Sequence, residues 1–170
     1  MASSFQGTIN RMAICAPAIS ARRMQYDEIY QENCHRVYSL AFWMTGNELT
    51  AEQLSTDTFL RAFASAADPT TDQIDRAFLT EVREFTPVGT LTLSCVMAPA
   101  TSVYGNVKRT HLEHAVLQLP ATEKIIFLLH DVEGYEHSRI ARLLGIAEKE
   151  SRHGLHQARL QVRSLITRML

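Results

Sequence analysis

The sequence predicts an all-α chain built as two small helical domains joined by a linker. Three observations predict it. Apolar residues recur at spacings of three and four through residues 26–85 and again through 111–166. The stretch between them is crowded with Pro, Gly and hydroxyl residues and carries no charge from Phe85 to Val107. Across 170 residues, 46% hydrophobic and 21% charged, no uncharged apolar run reaches the ~18 residues that a membrane span needs. That composition excludes a wholly disordered chain, and the length suits one ordinary domain or two small ones.

Each element follows in order. Residues 1–25 carry many small side chains without periodicity and read as a flexible N-terminal tail. Its apolar patch, Met12 to Ile19, is edged by Arg11 and broken by Pro17, which does not suit a secretory signal. A first helix begins at Tyr26, with Ile29, Tyr30, Val37, Tyr38, Ala41 and Phe42 on one face, and ends near Gly46-Asn47, a C-cap pattern. A second starts at Thr50-Ala51-Glu52-Gln53, where Thr followed by Gln three residues later is a capping box. Its apolar set is Ala51, Leu54, Thr58, Phe59, Ala62 and Phe63. Asp68-Pro69-Thr70-Thr71 breaks the chain before a third helix, Asp72 to Phe85, striped with Ile74, Phe78, Val82 and Phe85. Periodicity assigns Phe63 and Phe78 to the core. Thr86-Pro87 ends this first domain, 26–86.

The linker, 87–107, alternates Leu91, Leu93, Cys95 and Met97 with small or polar residues. A loop laid along an apolar groove fits it better than an isolated strand. The last domain, 108–170, is densely helical. Leu112, Ala115, Val116 and Leu119 mark one helix, and Pro120 opens the next, with Ile125, Ile126, Leu128 and Leu129. After Gly134, Glu136 to Leu144 carries Ile140, Ala141, Leu143 and Leu144; Gly145 is its C-cap. A final helix from about Glu148 turns Leu155, Ala158, Val162, Leu165 and Ile166 inward. Helix, Gly turn, helix at this length is the helix-turn-helix pattern.

Net charge is −1, but it is divided: residues 1–68 and 69–107 are each net −2, and 108–170 are net +3. A mildly basic C-terminal third permits nucleic-acid binding there. The three cysteines, Cys15, Cys34 and Cys95, are odd in number and far apart, which points to a reducing, cytoplasmic setting. His111 and His114, and likewise His153 and His156, are three apart on helices, but zinc asks for three or four ligands in a defined spacing. No metal, no cofactor and no catalytic residue is expected, because no phosphate loop or nucleophile setting is present.

Two runs carry a resemblance. The first is Ala51-Glu52-Gln53-Leu54-Ser55-Thr56-Asp57-Thr58-Phe59-Leu60-Arg61-Ala62-Phe63, preceded by Val37-Tyr38-Ser39-Leu40-Ala41 and Thr45-Gly46-Asn47. The second is Leu119-Pro120, then Phe127-Leu128-Leu129-His130-Asp131-Val132-Glu133-Gly134-Tyr135, Ile140-Ala141-Arg142-Leu143-Leu144-Gly145-Ile146 and Leu155-His156-Gln157-Ala158-Arg159. In this order and separation they resemble a bacterial RNA polymerase sigma factor of the extracytoplasmic-function (ECF) type. The resemblance covers roughly residues 26–85 and 108–166, and it equates the two helical domains with sigma domain 2 and the helix-turn-helix domain 4.

The resemblance implies a non-enzymatic protein that directs RNA polymerase to promoters. Its partners would be the polymerase core, through the clamp helices and the flap, promoter DNA, and an anti-sigma factor. By correspondence, Glu52, Gln53, Thr56, Asp57 and Arg61 would meet the polymerase. Arg139, Arg142, Arg152, His153, His156 and Arg159 would face DNA. The chain diverges at DNA-contacting positions, since Gly154 and Gln157 stand where the family has Arg. Acids also stand near where phosphates would lie: Glu81 and Glu84 on the third helix, Glu148 and Glu150 on the last. An alternative reading follows from those acids: a degenerate sigma-like protein that binds polymerase or an anti-sigma partner without promoter recognition. A dimeric helix-turn-helix regulator would explain only the C-terminal block.

Overall fold

The computed structural model describes residues 6–93 and 107–170, with side chains from residue 23 onward. Its described residues form seven α-helices and one π turn, with no strand among them. The first is α1, Gln6–Thr45. Residues 6–25, read from the sequence as a flexible tail, are therefore helical. Once a packed segment has nucleated a helix, each further residue adds one hydrogen bond and needs no apolar stripe to propagate it.

α1 ends where Gly46 takes a left-handed conformation, φ +66°. Asn47 then becomes the N-cap of α2, Glu48–Ser65, its side chain accepting the Thr50 N–H at 3.0 Å. The expected Thr50 capping box does not form; the N-cap lies three residues earlier. α3, Thr71–Phe85, opens on a true capping box: the Thr70 hydroxyl takes the Gln73 N–H and the Gln73 side chain takes the Thr70 N–H. These three helices share a core of Val37, Leu40, Leu54, Phe59, Ile74, Phe78, Leu79 and Val82. Tyr26 packs on Phe63 and Tyr30 on Phe59, each pair 4.9 Å between ring centres. Phe85, expected on the buried stripe, is 55% exposed. It closes the last turn of α3 beside an open cleft of about 360 Å³ that Met44, Leu54, Leu119 and Lys124 also line.

The second block holds α4, Arg109–Leu117, and α5, Ala121–Phe127. Leu112 falls on the first turn of α4 and is exposed, so that helix packs through Ala115 and Val116 instead. α5 widens into a π turn, Leu128–Val132, closed at Gly134, whose φ is +72°. Next come α6, His137–Leu144, and α7, Glu148–Met169.

The linker is anchored to the second block as far as it is described. The Gly89 N–H donates to Thr122 Oγ1 at 3.2 Å. Fully buried Glu123 accepts two successive backbone N–H groups, from Thr92 at 2.5 Å and Leu93 at 2.6 Å. Leu91 lies over Gly154 of α7. No strand forms in 86–93; Cys95 and Met97 lie outside the described residues.

The two blocks also meet directly. α3 lies along α6: Asp75 near its start is bonded to Arg139, and Arg83 near its end donates to the Leu143 and Leu144 carbonyls at 3.3 and 3.2 Å. Those carbonyls are free because they end α6, so the guanidinium both caps the helix and suits its negative terminus.

Candidate nucleic-acid interface

The helix-turn-helix is set by one glycine and two apolar faces. Gly145 takes φ +74°, and both its N–H and that of Ile146 return to the Ala141 carbonyl, which ends α6 sharply. Ile140, Leu143 and Leu144 of α6 then pack with Leu155, Ala158 and Val162 of α7 in one core. This leaves the opposite face of α7 outward. Lys149, Arg152, His153, His156, Arg159 and Arg163 are all exposed, at helical spacing.

Of the residues named from the sequence, this stripe brings together Arg152, His153, His156 and Arg159. Lys149 and Arg163 extend it, and the recurrence of basic residues at three- and four-residue steps could have found them. The acids near the stripe are spent within the fold. Glu150 Oε2 accepts the Ala147 N–H at 2.7 Å and so caps α7, while Glu148 pairs with Arg152 one turn on. Asp131 accepts from Arg159 through Nε at 3.0 Å and through Nη2. Burial pushes the Asp131 carboxyl up, but Arg159 and His130 outweigh it and hold it below the usual carboxylate range. Gly154 and Gln157 are buried and lie off this face. A Cβ at Gly154 would stand 2.7 Å from Leu91 and 2.8 Å from Ile126. The missing Arg at that position is therefore a packing requirement of the linker.

Arg142 and Arg139 separate. Arg142 is exposed on α6 without a side-chain partner among the described residues. Arg139 instead turns to the first block, with Nη2 donating to Asp75 Oδ2 at 2.8 Å and its guanidinium 3.9 Å from the centre of the Tyr135 ring.

On α2, Glu52, Gln53, Thr56 and Arg61 are exposed and Asp57 is half-buried. Gln53 donates to Asp57 at 2.9 Å, so those two hold each other on one face. Arg61 pairs with buried Glu81 and, at 3.1 Å, with Glu84. The two acids of α3 thus neutralise an arginine of α2, which sequence spacing alone did not reveal.

Beneath the stripe lies an imidazole pair. The His130 and His137 rings stack 4.5 Å apart, and His137 Nδ1 shares a hydrogen bond of 2.9 Å with Ser151, which is fully buried at the start of α7. Burial, then His130 and Arg152, pushes the His137 imidazole below its ordinary value. The neutral ring is therefore the folded one. Stability is intact above the ordinary value of about 6.5 and falls as pH drops from there toward the lowered value, because the unfolded chain binds the proton first. A thermal melt series from pH 7.5 to 5 should show falling Tm in the wild type, with part of that slope lost in His137→Gln.

Two helical blocks, the second ending in a helix-turn-helix with a basic outward face, are the architecture set beside known proteins here. Residues 109–162 match the family Sigma-70, region 4. The chain is 26% identical over 159 residues to the ECF RNA polymerase sigma factor SigE of Mycolicibacterium smegmatis, covering 84% of this chain and 62% of that one. It thus spans somewhat under two thirds of the length of that relative. In fold it is similar to the sigma factor RpoE of Bartonella quintana, solved in complex with the anti-sigma factor NepR. The TM-score is 0.58 at 18% identity, over 82% of this chain and 97% of that one. Together these likenesses give a Sigma-70 region 4 match at residues 109–162 and a fold over most of the chain like that of a solved sigma factor.

Proposed function

We propose that this chain is a sigma factor that directs RNA polymerase to promoters and reads duplex DNA through α7. The observation that carries the reading is the outward basic stripe of a region 4 helix-turn-helix. Its neighbouring acids are spent on capping and pairing, so they do not stand as free charge against phosphate. In this reading Arg142, Arg152, His153, His156 and Arg159 meet DNA, with Lys149 and Arg163 beside them. Glu52, Gln53, Thr56, Asp57 and Arg61 meet the polymerase. Residues 26–86 and 108–170 act as the two working domains on either side of the linker 87–107. Similarity to RpoE supports an anti-sigma factor as a further partner. The role in this reading is non-enzymatic and cytoplasmic. Among the described residues no helix is long and apolar enough to cross a membrane.

The test is capture of purified core RNA polymerase by the full chain, followed by run-off transcription on genomic fragments. Specific transcripts are expected. Capture without transcripts would overturn the promoter reading, and no capture would overturn the polymerase reading. Within the stripe, Arg163→Ala should weaken duplex binding at every sequence and lower the salt slope by about 1, as a phosphate contact does. Arg152→Ala should cost about 1–3 kcal/mol at one base position if that side chain reads a base edge.

A further inference from the structure

We propose that the cleft beside Phe85 is a binding site for a small organic acid with an apolar tail, its carboxylate seated on the Lys124 ammonium. The site goes beyond the promoter reading and does not depend on it. The cleft holds about 360 Å³, at the small end of the range for ligand pockets. Met44 of α1, Leu54 of α2, Val82 and Phe85 of α3, and Leu119 give it an apolar lining. Among the described residues, Lys124 of α5 is the one charged side chain that lines it. Phe85 is more than half exposed and leaves ring surface for an apolar tail to cover.

The ammonium is the feature that asks for an acid. Lys124 is only 7% exposed, and lysine is rarely buried so fully without a paired anion. Its Nζ donates to the Leu117 carbonyl at 2.8 Å, which caps the end of α4 and uses one of three N–H groups. Burial pushes the ammonium below the ordinary lysine value, and no carboxylate among the described residues stands close enough to raise it. Glu123, its neighbour in the chain, is committed to the amides of Thr92 and Leu93. The Thr86 hydroxyl, also on the cleft, has no partner among the described residues and offers a second donor. A carboxylate seated there turns a desolvated, unpaired charge into a charge-assisted pair. A bare inorganic anion would gain nothing from the apolar lining, so the tail belongs to the ligand.

The experiment titrates the full chain with octanoate by isothermal calorimetry, with octanol as the same tail without the charge. Octanoate should bind with a Kd on the order of 100 µM, the range for so small a ligand. Octanol should bind about tenfold more weakly, since it lacks the charged hydrogen bond. Lys124→Met keeps nearly the length of the side chain and removes its charge. It should weaken octanoate about tenfold and leave octanol unchanged. Ala121→Leu fills the cleft from the first turn of α5 without altering Lys124, and should weaken both ligands. Circular dichroism checks that each variant is folded. No octanoate binding by the wild type at millimolar concentration would overturn the site. Equal affinity for octanoate and octanol, or octanoate binding untouched in folded Lys124→Met, would overturn the ammonium as its anchor. Full octanoate affinity in Ala121→Leu would place the acid elsewhere and overturn the cleft. If Lys124→Met does not fold, the octanoate-to-octanol ratio and Ala121→Leu decide. None of these outcomes bears on promoter or polymerase binding, so the two readings fail separately.

Discussion

Glu123→Ala should lower the stability of the chain by about 3 kcal/mol and expose the start of the linker to protease. Glu123 is fully buried, and one oxygen takes the N–H groups of both Thr92 and Leu93. Hydrogen bonds to a charged acceptor contribute roughly 1.5–3 kcal/mol each. Removing the carboxylate strands two partly buried donors and leaves a gap beside α5. Part of the loss is recovered, because the freed linker can turn its N–H groups to water. Glu123→Gln keeps one acceptor oxygen at similar size and should lose less than half as much. Urea unfolding gives the stability, and limited proteolysis gives the linker. A Glu123→Ala chain as stable and as protease-resistant as the wild type would show that the two amides do not depend on this acceptor.

Gly154→Arg, which installs the residue that the resemblance expects, should destabilise by about 1–3 kcal/mol and fail to strengthen DNA binding. The position lies inside the fold, beneath Leu91 and against Ile126. Any Cβ there presses on both side-chain ends, and a long cation must displace Leu91 to reach water. Ala in place of Gly would gain about 1 kcal/mol of helix propensity, which the contact with Leu91 and Ile126 opposes. Gly154→Arg therefore separates an altered DNA contact from a linker seat. Tighter duplex binding with unchanged stability would assign the position to the DNA face.

How much of this was legible in the sequence depends on whether a signal is local. The seven helices, the cap at Gly145 and the inward sets around Phe78 and Leu155 follow from three- and four-residue spacing. The basic stripe was partly legible: Arg152, His153, His156 and Arg159, expected to face DNA, are all exposed, while Lys149 and Arg163 were overlooked. The fate of Glu81 was not legible, because its partner, Arg61, sits on another helix. Glu148 and Glu150 spend their charge locally, on Arg152 four residues on and on the Ala147 amide three residues back, a spacing that the sequence offered and that reading them as obstacles to phosphate passed over. Gly154 misled for the same reason as Glu81. Its explanation is Leu91, sixty-three residues away in the chain. Asp75 gave no signal either, since one acid in a helix says nothing of arginines and a tyrosine brought to it by the fold.

The seat of Thr92 and Leu93 on Glu123 also sets a leash. While it holds, with the Gly89 N–H on Thr122 beside it, only residues 86–88 bridge the end of α3 and the second block, a reach of about 10 Å at ~3.3–3.6 Å per residue. Were these contacts all to let go, the stretch from 86 to 107 could span at most about 75 Å by the same measure. These few contacts thereby set how far apart the two blocks can stand, and the local concentration each block presents to the other.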